Sequence, residues 1–264
     1  MRKTKIDWTD YTWNPVVGCY HGCEYCYARS MTRRLGGHDE IDGIEPTYPG
    51  QIAELNKPLT ITRKRSGKAI APFPYGFTPT LMRYKMDEPQ EVKNPANIFV
   101  CSMADLFGRW VPDEWIQEVF AACKKAPQHN YLFLTKNPAR YVRLDEKGIL
   151  PTNGKMWFGT TVTTPDMPFP YNGERQHNLF LSVEPMQADF GEAKGNLKDI
   201  KWVIIGAETG NRKDRILPEK AWIEKLYTQC SDLGIPVFMK QSLKSICGTP
   251  LIREYPKELG GEKE

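Results

Sequence analysis

The sequence predicts an α/β fold, a partial (βα) TIM-like barrel with a long Pro/Gly-rich insertion after its first βα unit. Three observations lead there. From residue 97 onward short apolar runs alternate with helical patterns, the signature of a parallel sheet with crossover helices. Nearly every one of those runs is followed at once by polar or charged residues, as on the C-terminal rim where barrels build their sites. A cysteine-rich loop follows the first strand, so it opens onto the same rim. The chain has 264 residues, 40% hydrophobic and 26% charged, enough for one large α/β domain. We read it as one domain over 1–264, with 38–95 an insertion or lid within it.

In chain order, residues 8–15 lead into a short apolar strand at 16–17 and then the cysteine loop. Residues 27–35 are helix-like, and Gly36-Gly37 stops them. Residues 38–95 are rich in Pro, Gly and charge; 51–56 reads as a short helix and 71–80 as loop. A long irregular stretch of this kind is usually functional, and we read it as covering the site. Strands follow at 97–101, 131–134, 156–159, 179–183, 202–206 and 236–239. Helices are expected at 113–126, from about 138, and at 218–233.

The residues after the strands share a character. They are Ser102-Met103-Ala104-Asp105, Thr135-Lys136, Thr160-Thr161, Glu184, Glu208-Thr209 and Lys240-Gln241. Basic Arg212-Lys213-Asp214-Arg215 follows Thr209. Any one of them reads as surface solvation; together they read as one polar site.

The cysteine loop spells Gly18-Cys19-Tyr20-His21-Gly22-Cys23-Glu24-Tyr25-Cys26, a C-x-x-x-C-x-x-C. Crowded soft thiolates favour zinc, copper(I) or an iron–sulfur cluster. Structural zinc wants four closed ligands, usually two separated pairs; no second C-x-x-C occurs in the chain. Three thiolates on a four-iron cluster leave one iron open to a substrate or cofactor. The alternative is a zinc knuckle with His21 as fourth ligand. Amides at the start of the following helix would help carry the negative charge of the ligated loop.

The net charge of +4 permits a nucleic-acid partner without demanding one. The most basic stretch, residues 60–68, reads either as a solvated loop or as a phosphate contact. No apolar run is long enough to cross a bilayer, and the N-terminus lacks the apolar core of a signal peptide, so the cytoplasm and no membrane partner are expected. In that compartment seven cysteines are not a disulfide framework, and Cys101, Cys123, Cys230 and Cys247 read as small buried apolar residues.

The triplet, with an aromatic residue just before its last cysteine, is similar to the signature of the radical SAM superfamily. The whole chain resembles a radical-SAM-like family found largely in phages and their bacterial hosts, a family without an established activity. The resemblance is carried by Trp8-Thr9-Asp10, Thr12-Trp13-Asn14-Pro15, Gly18-Cys19, Gly22-Cys23 and Cys26-Tyr27-Ala28. Further along it is carried by Ser102-Met103-Ala104-Asp105-Leu106-Phe107, Leu134-Thr135-Lys136, Ser182-Val183-Glu184-Pro185 and Gly206-Ala207-Glu208-Thr209-Gly210. Many family members have a longer gap between the first two cysteines; this chain has the superfamily's own. The C-Y-C-Y ending of the loop also resembles spore photoproduct lyase, which repairs thymine dimers.

The resemblance implies a barrel of the radical SAM type, a [4Fe-4S] cluster on Cys19, Cys23 and Cys26, and S-adenosylmethionine chelating the fourth iron. One electron, from a donor such as flavodoxin or ferredoxin, would cleave the sulfonium and give a 5′-deoxyadenosyl radical. Tyr25 would meet the adenine, and Ser102 and Asp105 the amino group, although the superfamily's Gly-Gly-Glu motif is absent. Thr160, Thr161, Ser182 and Glu184 would hold ribose hydroxyls and the methionyl carboxylate; Glu208 would face SAM or substrate. Asn14, Lys136, Arg215, Lys240 and Gln241 are candidates for substrate contacts, with ordinary salt bridges the alternative. Lys136, Cys101 and Cys247 are candidate catalytic groups, the two thiols as hydrogen-atom donors, with structural burial the alternative. The insertion would act as a lid against water and oxygen. The expected substrate is a thymine or modified thymine in phage DNA, in a rearrangement, hypermodification or repair step within the host cytoplasm. The alternatives are a peptide or small-metabolite substrate, or a zinc-stabilised nucleic-acid-binding protein without catalysis.

Overall fold

The computed structural model describes residues 1–36, 51–63, 67–170 and 176–260. Residues 38–50 of the expected lid and Lys64-Arg65-Ser66 of the basic stretch lie outside the described residues. In order, the elements are β1 (Arg2–Lys3), β2 (Tyr11–Trp13), β3 (Val16–Val17), α1 (Tyr27–Gly36), β4 (Ala53–Leu55), β5 (Thr60–Arg63), β6 (Gly67–Ile70) and β7 (Thr80–Met82). Then come α2 (Glu88–Glu91), β8 (Asn97–Val100), α3 (Asp113–Lys125), β9 (Asn130–Thr135), α4 (Ala139–Glu146) and β10 (Met156–Thr161). The last are β11 (Asn178–Val183), β12 (Ile200–Ile205), α5 (Lys220–Asp232), β13 (Val237–Met239) and α6 (Lys244–Cys247).

Eight strands form one sheet in the order β1-β2-β8-β9-β10-β11-β12-β13. Every pairing from β2 to β13 is parallel; β1 is antiparallel to β2. The order follows the chain without reversal. The strands after β2 are almost wholly buried, so they read as continuous apolar runs rather than alternating ones. Along β13 the chain returns antiparallel: Met239 N–H donates to Ile252 O at 2.7 Å and Glu254 N–H to Val237 O at 2.9 Å, covering that edge.

The sheet curls around one tryptophan. The Trp8 ring lies 4.7 Å from Phe99 of β8 and 6.1 Å from Trp202 of β12. Those two rings are therefore at most about 11 Å apart, the sum of the two distances, whereas four strand spacings of a flat sheet span roughly 19 Å. Phe99, Leu132, Trp157, Phe180, Trp202 and Phe238, one from each of six strands, fill the concave side around Trp8. Gly159 of β10 makes room there: a Cβ would sit 2.2 Å from the Phe180 ring. The convex side packs on Trp115, Ile116, Val119 and Phe120 of α3, Tyr141 and Leu144 of α4, and Ile223 and Leu226 of α5.

Three expectations are corrected. Val16–Val17 does not enter the large sheet; it pairs antiparallel with β7, and Tyr11–Trp13 is the sheet strand before the cysteines. Pro15 lies between them, and its missing N–H ends the ladder. Residues 51–56 are not helical. Ala53–Leu55 is a strand parallel to β7, with Leu55 buried and Glu54 turned out to Arg83 at 2.6 Å, a period of two. The described part of 38–95 is not irregular throughout, since it holds β4–β7 and α2. The helix rhythm also lapses: between β11 and β12 there is only a 3-10 turn, Lys194–Leu197. No described helix is long and apolar enough to cross a membrane.

Candidate active site at the strand ends

The cysteine loop is gripped from two sides. Gly18 N–H donates to Met103 O at 2.9 Å, and Cys19 N–H donates to Phe77 O at 3.1 Å. Asn14 Oδ1 accepts from Met103 N–H at 3.0 Å and Ser102 Oγ at 3.2 Å, fixing the turn after β8 to the turn after β2. Gly18 has φ +88°, and a Cβ there would lie 2.3 Å from Thr78 O. Neither the backbone angle nor the neighbouring carbonyl tolerates a side chain. Gly18→Ala is therefore expected to cost about 2–3 kcal/mol and to lower the unfolding midpoint in urea. A midpoint within error of the wild type would contradict this grip.

The three thiols face a cavity of about 620 Å³. His21 N–H lies 3.5 Å from Cys19 Sγ, and Arg29 N–H, in the first turn of α1, lies 3.4 Å from Cys26 Sγ. Such N–H groups stabilise negative sulfur. Burial, only partly offset by the His21 amide and reinforced by Asp105, Cys23 and Cys26, pushes the unligated Cys19 thiol up to about 12. Among the described residues no three His, Cys, Asp or Glu side chains are placed to hold a single metal ion. His21 Nε2 lies 2.6 Å from Asp105 Oδ2, a carboxylate contact that orients the ring beside Cys19 and Cys23.

Asp105 is a hub. Its Oδ1 accepts from Phe107 N–H at 2.9 Å and Thr135 Oγ1 at 2.8 Å; its Oδ2 meets His21 Nε2 and Lys136 N–H at 2.9 Å. Burial pushes this carboxyl up, but the His21 contact, the Lys136 N–H and Thr135 together outweigh it, and the net shift is below the usual aspartate range. A carboxylate offers about four lone-pair sites. Four protein donors use them, so Asp105 braces the cysteine loop against β9 instead of presenting a free acceptor to an ammonium group.

Tyr25, between Cys23 and Cys26, lines the cavity. Burial, then the charge of Cys23, raises its phenol well above the ordinary value. Lys136 Nζ sits 5.5 Å over the Tyr25 ring, and no carboxylate lies within ion-pair distance of it among the described residues. Ser102, Thr161, Ser182 and Glu208 also face the cavity. Glu184 and Lys240 do too, and they are ion-paired to each other over Gly206, where a Cβ would be 3.1 Å from the lysine stem. Gln241 joins a second cluster: its N–H donates to Asp7 Oδ2 at 2.8 Å, and its Oε1 accepts from Arg253 Nη2 at 3.0 Å. Glu208 is held by Arg212, Nε to Oε1 at 2.8 Å and Nη2 to Oε2 at 2.9 Å, which keeps its carboxyl below the usual range.

Five candidates are placed elsewhere. Thr160 is buried off the cavity with an unpartnered Oγ1, because successive strand residues face opposite sides and Thr161 takes the inner one. Arg215 is exposed on a loop and donates to Gly210 O at 2.5 Å. Cys101 is 3% exposed in the convex-side core with φ 58°, and Cys247 packs at the edge of that core on α6. Neither thiol reaches the cavity, which corrects their reading as hydrogen-atom donors. Asn14 acts from behind, through Ser102 and Met103. The cavity adds Lys5, Asp7, Ser242 and Arg253, which sequence reasoning missed. These lie in segments without motif or periodicity and meet only because both chain ends fold back over β13.

A family model described as a protein of unknown function, DUF5131, matches residues 3–246. No curated protein and no solved structure matches the chain.

Proposed function

We propose that this chain, which belongs to the DUF5131 family, is a radical SAM enzyme on a partial (βα) barrel. One observation carries the reading. Three thiols on a single loop face a cavity ringed by the polar ends of parallel strands. Cys19, Cys23 and Cys26 would hold a [4Fe-4S] cluster, leaving one iron for S-adenosylmethionine. That pair would supply, on receipt of one electron from a flavodoxin- or ferredoxin-like donor, a 5′-deoxyadenosyl radical for hydrogen abstraction.

The chain's own part is binding, orientation and exclusion of water. Tyr25, steadied by Lys136 above its ring, offers a flat face to the adenine. Ser102 Oγ supplies an acceptor for the ammonium group, the role that Asp105, its oxygens filled, is not free to take. Thr161 and Ser182 lie at the ends of adjacent strands, in register, and suit ribose hydroxyls. The Lys136 ammonium suits a carboxylate or phosphate. Trp8, Phe99 and Leu134 give the cavity an apolar floor that keeps water from a reactive intermediate. The Glu184–Lys240 pair and the Asp7–Arg253–Gln241 cluster provide donors and acceptors on the remaining wall for the substrate.

For the substrate we propose a thymine or modified thymine in DNA, extruded from its stack to reach the cavity. The support is the sequence resemblance and the Lys136 ammonium over the Tyr25 ring, which has no carboxylate within ion-pair distance among the described residues. Protein purified without oxygen should contain about four irons and four sulfides, as three ligands on a cubane require. With a reductant it should release 5′-deoxyadenosine from SAM, and faster with thymine-containing DNA. One equivalent of zinc without iron would end the radical SAM reading. Stimulation by a peptide or metabolite and by no DNA would end the substrate reading alone.

A further inference from the structure

The cavity leaves one adjoining feature unused, the loop between β12 and α5. Its root, Ala207, Glu208 and Thr209, lines the cavity. From Thr209 to Leu217 every residue is exposed except Arg212. Arg212 moors the loop, bidentate to the buried Glu208 on its own root and reaching Glu24 Oε2 of the cysteine loop at 3.1 Å. The crown is therefore held at the mouth, beside the cysteines. It carries Lys213 and Arg215 against a single Asp214, and directly after them two exposed aliphatic side chains, Ile216 at 44% and Leu217 at 48%. The cations alone would keep such a loop solvated; the exposed aliphatic pair adds nothing to that. Cations without an ion-pair partner among the described residues, followed at once by a bare apolar pair, suit a surface that is anionic outside and apolar within, and a base stack between phosphate strands is such a surface.

We infer that residues 209–217 are the duplex-engaging loop of this protein. Lys213 and Arg215 seat on phosphates flanking the target, and Ile216 and Leu217 enter the stack where the target base has left it. The inference rests on the nucleobase reading above and supplies what that reading lacks, a means of holding the gap open. Protein-inserted aliphatic wedges unstack base steps in this way, at a cost offset by the added contact.

The test uses the full chain with a short thymine-containing duplex and its single strand, 2-aminopurine beside the thymine reporting unstacking. Lys213→Ala with Arg215→Ala is expected to weaken both duplex and single strand roughly tenfold and to flatten the salt dependence by about two contacts. Ile216→Ala with Leu217→Ala is expected to leave single-strand binding intact, weaken the duplex severalfold and abolish the 2-aminopurine rise. If the wild type binds and unstacks the duplex and both variants do so equally, this loop is not the contact, while the nucleobase reading survives. If the wild type releases 5′-deoxyadenosine with another substrate and ignores DNA, the substrate reading falls and takes this inference with it.

Discussion

Cys26→Ala is expected to leave the protein folded and to remove its chemistry. Cys26 packs at the edge of a small satellite cluster, Val17, Ala28, Phe73, Met82 and Met103, apart from the two main cores. Losing one sulfur there should cost no more than about 1 kcal/mol. As the third ligand of the proposed cluster it would have no replacement of its kind, because the loop carries only Cys19 and Cys23 besides it. Iron content should fall to background and SAM cleavage by at least about a thousandfold, some 4 kcal/mol of transition-state stabilisation. The comparison that gives this meaning is Cys101→Ala. That thiol is 3% exposed in the convex-side core and off the cavity, so its removal should lower stability while iron and cleavage persist. Iron retained in Cys26→Ala, or lost in Cys101→Ala at full folding, would reverse the assignment of roles.

The contrast between these two cysteines marks what could be read from the sequence. Spacing identified the triplet, because ligands that converge from one loop must be close in the chain. The parallel strands from β8 onward were legible for a similar reason: burial on both faces makes each a short apolar run. Polar strand ends pointed to the cavity, but strand periodicity had to choose between Thr160 and Thr161, and a run of two threonines does not disclose which faces in. Lys240 and Glu184 were visible singly; that they neutralise each other depends on two crossovers and on the space left at Gly206. Asp7 and Arg253 stand 246 residues apart and meet only through the curl of the sheet about Trp8. Short elements fared worst. Residues 51–56 offered too few positions to tell a period of two from one of three to four, and the partner that decides, β7, lies beyond a Pro-rich stretch.

Asp105→Asn should have the largest effect on stability of any single polar change at the site. The carboxylate is buried and accepts from four donors on three segments, His21 in the cysteine loop, Phe107 after β8, and Thr135 and Lys136 at the end of β9. An amide keeps one acceptor oxygen and turns an NH2 towards donors, leaving at least one backbone N–H, that of Phe107 or Lys136, unsatisfied. Loss of a buried, charge-assisted network of this kind costs about 3–4 kcal/mol, or on the order of 10 °C in melting temperature for a chain of this size. The sign with pH follows from the depressed folded pKa. The wild-type advantage should be complete above the ordinary aspartate value near ~3.9. As pH falls below it the unfolded chain takes up the proton first, and the advantage shrinks by about 1.4 kcal/mol per pH unit until the folded pKa is passed. Urea melts of both proteins between neutral pH and pH 3 read this directly, and a gap independent of pH would show that charge is not what Asp105 contributes. Because His21 sits between Cys19 and Cys23, the variant should also lose iron on dialysis faster than the wild type while its remaining clusters cleave SAM normally. A bystander at the strand end would change the melt and leave iron retention as it was.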